Sequence, residues 1–451
     1  MATAETQSGK LISADAALAA VLDAVPGPTE AEWVHLSEAP GRVASEDVVS
    51  ALDLPPWDNS AMDGYALRYR DVETATSARP VVLEITGDVP AGAEELAEVR
   101  RGTAVRIATG ARIPPSADCV VPVEQTTAAS GSGEALGSPA RDATGPLPAA
   151  ILIDAPVPAG ASVRRKGSDL RSGTTVLAAG SDIRPATIAV LAGAGHGGLL
   201  VHRRPSVGIL ATGDEIRSPG SDLGPAGIPD ANGPALHAYV EAAGGSGQDL
   251  GIARDRIEDV QARLAAGLAA GIDAIIVSGG VSVGPYDHVR TAFAAYGTIE
   301  LWRVAVQPGK PFVFGTAPRP GGGRPILLFG LPGNPVSTFV TFELFVRPAL
   351  RRLGGHADTG RRVDRAVLMD ATPKSSGRRA FIRVRADRDA LGTPIRDDLG
   401  RVIVRLSGGV SGQGSHVLSA LAEAEALAII PEDVDTHPAG GAVTLWWLDQ
   451  G

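Results

Sequence analysis

One cysteine, Cys119, stands in a chain of 451 residues. A disulfide within the chain is impossible, and a four-cysteine zinc site is excluded. Cys119 lies in the apolar run CVVPV and reads as a core residue. The eight histidines contain no H-x-x-x-H pair of the metal-ligand kind. No run of about 18 apolar residues occurs, so no membrane span is expected. The opening stretch MATAETQSGKLISADAALAAVLDAV lacks the basic-then-apolar order of a secretion signal, and a cytoplasmic location is the expectation. Positive charge is also short: 41 Lys and Arg against 51 Asp and Glu leave a net charge of -10. A general nucleic-acid binder is usually basic, so nucleic acid is not an expected partner. Aromatic residues are only 4%, whereas Gly (56) and Pro (34) are plentiful, which favours turns and β-rich segments over long helical bundles.

The length exceeds one ordinary core and predicts two to four domains. Residues 11–25 read as a helix, with Ser13 as cap and Leu18, Val21, Leu22 and Val25 along one stripe. From about residue 40 to 180 short runs such as RPVVLEITG, TAVRIATG and DCVVPVEQT are separated by Gly and Pro, a β-rich texture. TAASGSGEALGSPARDATGPLPAA, Thr127 to Ala150, reads as a solvated low-complexity loop. From about residue 203 strands and helices alternate: SVGILA, then a helix over NGPALHAYVEAAG with Asn232 as cap, then GQDLGIA, IEDVQARLAAGLAAG, DAIIVSG and DHVRTAFAAYG. ELWRVAV, PFVFG and PILLFG add strands, and PVSTFVTFELFVRPALRRL closes as one helix. Such alternation predicts a mostly parallel sheet covered on both faces. After about residue 360 five short strands predict a small β-barrel or sandwich.

Polar, Gly-rich stretches follow four of the central strands: ATGDE, SGGVSVG, QPGKP and GLPGNP. In an open parallel sheet such loops share the carboxyl rim, where ligands bind. Gly279, Gly280, Ser282 and Gly284 offer close backbone approach, N–H donors and a hydroxyl, the chemistry of an oxyanion or phosphate cradle. Acids gather at the same rim: Asp214, Glu215, Asp255 and Asp287. Carboxylates beside an anion usually need a cation between them, and Mg²⁺ on substrate phosphates is the common solution. Glu215 and Asp287 each directly follow a Gly-containing strand end, whereas Asp255 reads more simply as a helix-start residue. Lys310 is a cation held between Pro308 and Pro311. A second constellation lies earlier: Asp58, Asn59, Ser60 and Asp63 around one turn, and Arg164, Arg165, Lys166 and Asp169 in VRRKGSDL, a set suited to an anion plus a metal.

NSAMDGYA, TGARIP, RRKGSDL, TGDEI, SGGVSVGPYD, QPGKPFVFG, LPGNPVS and GQGSH stand in the order seen in the molybdopterin molybdenumtransferases, the MoeA family, which the chain resembles from about residue 11 to 448. It is similar also to the C-terminal part of gephyrin. The resemblance implies a multidomain α/β plus β fold. Residues 11–190 would form a β-rich N-terminal region of two subdomains, its first helix packing on the central domain. Residues 203–353 would form a central, mostly parallel α/β molybdopterin-binding domain, and 362–448 a C-terminal β-barrel. It implies a homodimer with each active site in a cleft shared between subunits. It implies insertion of molybdate into adenylylated molybdopterin with release of AMP and a divalent cation, usually Mg²⁺, and a separate adenylyltransferase of the same pathway as a possible partner.

Carried over by position, Asp63 and Thr109 are site residues of the N-terminal region, with Arg165 and Asp169 nearby, and Glu215, Asp255 and Asp287 are the central acids. Asp63, Glu215 and Asp287 are the metal-ligand candidates. Gly279, Gly280, Ser282 and Gly284 cradle phosphate, with Lys310 close by. Pro332 and Pro335 shape the loop whose Gly333 and Asn334 face the pterin. Arg303 and Arg383 are cations for molybdate, and Ser415 comes from the C-terminal domain. The chain departs from the pattern in three places. Many relatives carry Lys where Arg303 and Gln307 stand, Pro229-Asp230-Ala231-Asn232 replaces Y-D-[ST]-N, and Ser168 replaces a common Glu. Two alternatives stay open. A molybdopterin adenylyltransferase-like nucleotide enzyme would share SGGVS but not NSAMDGYA or the C-terminal strands. A non-catalytic, gephyrin-like scaffold would have no use for the acids.

Overall fold

The runs VGILA, AIIVS and ILLFGL are apolar at consecutive positions because they have no polar face to offer. In the computed structural model, which describes residues 11–136, 146–281 and 288–448, they form the middle of a six-stranded sheet. Its order is Ser246–Ala253, Ser206–Thr212, Ala274–Ser278, Ile326–Leu331, Pro311–Ala317, Thr298–Arg303. The first four strands are mutually parallel and the last two run antiparallel to their neighbours. Alternate residues serve opposite cores. Ile209, Ile276, Phe314 and Phe329 pack with helix Asn232–Ala242 and the long 335–353 helix. Leu210, Ile275, Val277, Val313 and Leu328 pack with helices Ile257–Ala269 and His288–Tyr296. Burying both faces is what a parallel sheet requires.

Three sequence readings change here. ELWRVAV is not one strand: Thr298–Arg303 ends in the central sheet, and Val306–Gln307 pairs with Arg379 and Ala380 of the C-terminal sheet. PVSTFVTFELFVRPALRRL is one rod with a changed register, α over Pro335–Thr341, π over Phe342–Val346 and α again over Arg347–Leu353. Pro348 cannot donate a backbone hydrogen bond, and the wider turn before it absorbs that loss. The stretch 127–150 is not loop throughout, since Thr127–Ala129 pairs antiparallel with Ala150–Ile153.

Helix Ala14–Asp23 starts where Ser13 Oγ accepts a hydrogen bond from Ala16 N–H at 3.2 Å. Its buried ridge is Ala14, Ala17 and Val21, with Val25 just beyond and Leu18 partly covered, packed in the core with Phe345 and Leu353. Asp15 and Arg379 tie it to the C-terminal region by a two-pronged ion pair of 2.6 and 2.7 Å. The N-terminal part carries a six-stranded sheet ordered Cys119–Pro122, Gly64–Leu67, Thr103–Ile107, Val81–Val89, Ala150–Ile153, Thr127–Ala129. Cys119 is buried in its core. A separate cluster around Val34, Leu191 and Val201 underlies the antiparallel pairing of Ala31–His35 with Gly198–His202, distant in sequence. In the C-terminal region Arg379–Ala386, Val402–Leu406, Val363–Leu368, Gly441–Trp447 and Ala426–Ile430 pair in that order, and the last pairs back to the first. Of barrel and sandwich, the barrel is the outcome, closed around Leu368, Ile382, Val404 and Leu445.

The segment joining rod to barrel is fastened by His356, whose ring Nδ1 meets Asp182 and the Arg351 guanidinium. Burial, and then the Arg351 charge, hold His356 below its ordinary value of 6.5, against the pull of Asp182. The unfolded chain therefore binds a proton at His356 at a pH where the folded chain does not. Its contribution to stability is present above pH 6.5 and is lost as pH falls toward the folded value. Melting temperature followed from pH 7.5 down to 5 should drop more steeply in the wild type than in His356→Gln. Parallel curves would contradict this assignment.

Candidate active site

At the carboxyl rim of the central sheet lies a cleft of about 660 Å³. Four loops that are distant in sequence meet there. Thr212, Gly213 and Glu215 come from one, Asp255 from the next, Ser278, Gly279 and Gly280 from the third, and Pro332 to Pro335 from the fourth. The turn at Gly279 and Gly280 is built for close approach. Both have left-handed backbones, φ +98° and +65°. Gly279 N–H donates to Leu331 O at 3.0 Å, fastening this turn to the fourth loop.

The principal fastener is Asn232. Its Nδ2 donates to Ser278 Oγ at 2.8 Å and to Gly333 O at 2.7 Å. Asn232 is not the helix cap: the helix starts on it, and Asp230, buried and two residues earlier, accepts from Asn232 N–H at 3.0 Å and Gly233 N–H at 2.8 Å. The carboxylate of Asp230 thus occupies the donors at this helix start, and the amide of Asn232 is left for cross-loop work. A Cβ at Gly233 would lie 2.4 Å from Asp230 Oδ2, so that position needs glycine. The departures Pro229 and Ala231 also line the cleft.

Glu215 and Asp255 present carboxylates to this space. Asp214 and Asp255 exchange reciprocal hydrogen bonds, each carboxylate accepting from the other's backbone N–H at 3.3 Å. That exchange draws the two acidic loops together. Among the described residues no group of three His, Cys, Asp or Glu stands ready to hold a metal. One or two carboxylates facing a phosphate-sized space suit a hard divalent cation that takes its remaining oxygens from water and substrate, as Mg²⁺ does.

Of the residues expected at the site, the cleft brings together Glu215, Asp255, Gly279, Gly280, Pro332, Gly333, Asn334 and Pro335. Ser282, Gly284 and Asp287 lie outside the described residues. Arg303 and Lys310 are half-buried near the rim, joined through Val304 N–H donating to Lys310 O at 3.1 Å, but only the adjacent Pro311 lines the cleft. Ser415 lies next door. It lines a second pocket of about 400 Å³ with Gln307, Pro308, Ser375 and Arg378, while His416 lines the cleft. Ser415 O accepts from Val336 N–H at 3.1 Å, which seats the GQGSH loop on the 335–353 rod.

The structure does not bring Arg383 to either space. It is 1% exposed and donates to Gly412 O at 2.7 Å and Gly414 O at 3.2 Å, so it works as a clamp on the GQGSH loop. Burial pushes it down to about 10. Arg378 of the same GRRAFIR motif lines the second pocket instead, and no hydrogen bond or ion pair holds its guanidinium among the described residues.

The N-terminal candidates form their own exposed cluster. Asn59–Ser60 pairs antiparallel with Val163–Arg164, and Ser60 N–H donates to Ala111 O, so three motifs meet. Asp63 Oδ1 accepts from Thr109 N–H at 2.6 Å. Arg165 donates to Asp58 Oδ2 at 2.7 Å. The Lys166 N–H, followed by that guanidinium, holds Asp58 below the usual carboxylate range. Asp169 N–H donates to Leu54 O at 3.0 Å. None of Asp63, Thr109, Arg165 or Asp169 lines the cleft of its own chain.

A doubly covered α/β sheet with a polar cleft at its carboxyl rim, a closed barrel beside it and a β-rich N-terminal part defines a multidomain class already seen in solved structures. A molybdopterin biosynthesis MoeA protein from Pyrococcus horikosii superposes with a TM-score of 0.76 at 29% identity, over 98% of this chain and 100% of that one. Three family models match in chain order: the MoeA N-terminal region (domain I and II) over 12–195, the probable molybdopterin binding domain over 208–352, and the MoeA C-terminal region (domain IV) over 365–448. Molybdopterin molybdenumtransferase 2 of Mycobacterium tuberculosis is 37% identical over 422 residues, 92% of this chain and 94% of that protein. Molybdopterin molybdenumtransferase of Haemophilus influenzae is 31% identical over 96% of this chain and 98% of its own length. The chain belongs to the MoeA family of molybdenum cofactor biosynthesis.

Proposed function

We propose that this chain inserts molybdate into adenylylated molybdopterin and releases AMP. The observation that carries this reading is one rim on which an acidic cleft and a cation-bearing pocket adjoin, with Ser415 in the pocket and His416 in the cleft. A pterin bearing a pyrophosphate suits the cleft, and a small dianion suits the pocket with Arg378, Gln307 and Ser415. The Gly279-Gly280 turn lets the phosphate approach the backbone, and Ser282, Gly284 and Asp287 follow directly in sequence. Pro332, Gly333, Asn334 and Pro335 hold the pterin side. Glu215 and Asp255, with Asp287, would hold Mg²⁺. When bound, the cation neutralises the charge that develops as the pyrophosphate bond breaks. The side chains orient the phosphates and keep the cleft's donors aimed at them, and electrostatic stabilisation of that kind is the main term in phosphoryl chemistry. Water adds its oxygen to one phosphorus as the P–O–P bond breaks, so one phosphate stays on the pterin and the other leaves as AMP, and each oxygen that molybdate exchanges for a pterin sulfur leaves as water with the thiol protons. Incubation with adenylylated molybdopterin, molybdate and Mg²⁺ should yield AMP and active cofactor in equal amounts, and absence of AMP would overturn the reading.

The chain acts as a cytoplasmic homodimer whose cleft is completed by the N-terminal cluster of the second copy, its substrate supplied by an adenylyltransferase. The support is that Asp63 and Thr109 form a preorganised polar turn away from the cleft of their own chain. Complementation decides it. Asp63→Asn and Glu215→Gln chains, inactive alone, should recover about a quarter of wild-type activity when co-refolded, because half the dimers are mixed and each has one intact site. No recovery would mean that each site is built from one chain.

A further inference from the structure

Sharing Leu418 with the cleft, a third and larger cavity of about 860 Å³ lies between helix Asn232–Ala242, the 335–353 rod and residues 418–424. Three guanidiniums line it, Arg347, Arg351 and Arg361, against one carboxylate, Glu343. These are not surface charges: the side chains of Arg347 and Glu343 are 4% and 3% exposed, and those of Arg351 and Arg361 are 13% exposed. Glu343 is fully taken by Arg361, through two hydrogen bonds of 2.9 Å. Arg347 spends Nη1 on Thr359 O and Gly360 O at 3.0 Å and reaches Glu343 only at 4.0 Å. Arg351 spends Nε on Asp358 O and Nη2 on His356, with Asp182 at 3.7 Å. Asp182 is half-exposed and outside the cavity, and Asp358 turns its carboxylate to Gly360 N–H in its own loop. Nη2 of Arg347 and Nη1 of Arg351 take no part in these bonds. Among the lining groups guanidiniums outnumber carboxylates three to one, and Asp182, 3.7 Å from Arg351, and Asp358 offset only part of that positive charge from outside the cavity. Burying such an excess is costly unless something neutralises it. Burial, and then the charge of Arg361, push Arg347 down to about 10.

The remaining wall is apolar and aromatic. Tyr239 and Phe339 line it with ring centroids 5.3 Å apart, and Leu421 and Leu448 face them. The space is too large for an inorganic ion alone. Planar guanidinium forks match phosphate oxygens, and rings stack on rings. We propose that this cavity binds a phosphate monoester carrying a planar aromatic group. Leu418 lines both this cavity and the cleft, so an occupant touches a wall of the active site.

Calorimetric titration of the full-length protein with phenyl phosphate at low ionic strength tests this. One saturable site per chain is expected, with weaker binding of benzoate and of inorganic phosphate. Ala422→Trp fills the cavity from an exposed position and leaves every charge in place, and Arg351→Met removes a lining guanidinium whose Nη1 is uncommitted. Each should weaken binding roughly tenfold or more. Asn232→Leu, in the cleft, should leave it unchanged. Absence of saturable binding in the wild type overturns the proposal. So does binding that survives Ala422→Trp, whatever Arg351→Met does. Loss confined to Asn232→Leu would place the ester in the cleft, overturning this site while leaving the insertion chemistry untouched.

Discussion

Glu215→Gln should lower AMP release and cofactor formation roughly 10²–10³-fold at saturating substrate and Mg²⁺, the scale of losing one preorganised electrostatic group. The expectation follows from what Glu215 does not do. It is exposed in the cleft, and among the described residues its carboxylate makes no hydrogen bond or ion pair. Its backbone carbonyl, which accepts from Ile228 N–H at 2.8 Å, is untouched by the change. Gln keeps the shape, so the melting curve should stay within about 0.5 kcal/mol of wild type, as for other exposed changes. Binding of the non-adenylylated pterin should also persist. Asp255→Asn is the companion. Asp255 shares its carboxylate with Asp214 N–H, a bond that the amide oxygen of Asn can keep, so the activity loss should be smaller. Near-normal AMP release by Glu215→Gln would remove Glu215 from the metal and leave the role to acids elsewhere.

What the sequence revealed and concealed divides along one physical line. Runs such as AIIVS and ILLFGL report burial on two faces, and the Gly-rich stretches after them report backbone that must turn sharply, so the sheet and the convergence of its loops were legible. Interactions between distant segments were not. Asn232 reads locally as a helix cap, because Asn at a helix start is common. Only the fold shows Asp230 taking that task and Asn232 spanning Ser278 and Gly333. The available signal is the PDAN motif, whose Asp and Asn put two side chains able to bond across loops within three residues. Arg378 and Arg383 could not be ranked, since period-2 alternation separates faces only when one is wet, and strand Arg379–Ala386 is buried almost throughout. The split of ELWRVAV between two sheets is invisible for a related reason: an apolar run records that it is buried, and not against which partner.

The same turn chemistry supports a graded test. Gly279→Ala should destabilise the fold by about 2–4 kcal/mol and abolish the cleft, whereas Gly280→Ala should cost about 1–2 kcal/mol and leave a weakened site. Both positions have positive φ, so both pay backbone strain. The difference lies in what a new Cβ meets. At Gly279 it would sit 2.6 Å from Thr212 O and 2.7 Å from Thr212 Oγ1. Thr212 is the last residue of the strand Ser206–Thr212, so its carbonyl cannot retreat without pulling that strand. Relief by moving the turn is also closed, because Gly279 N–H is bonded to Leu331 O. At Gly280 the nearest contacts are side-chain atoms, Val289 Cγ2 at 2.8 Å and Thr212 Oγ1 at 3.1 Å, and no backbone atom has to move. Denaturant unfolding should therefore order the variants as wild type, Gly280→Ala, Gly279→Ala, and pterin affinity should fall in the same order. Equal losses would mean that strain in the backbone alone sets the cost, and that the approach of Thr212 to this turn does not shape the cleft.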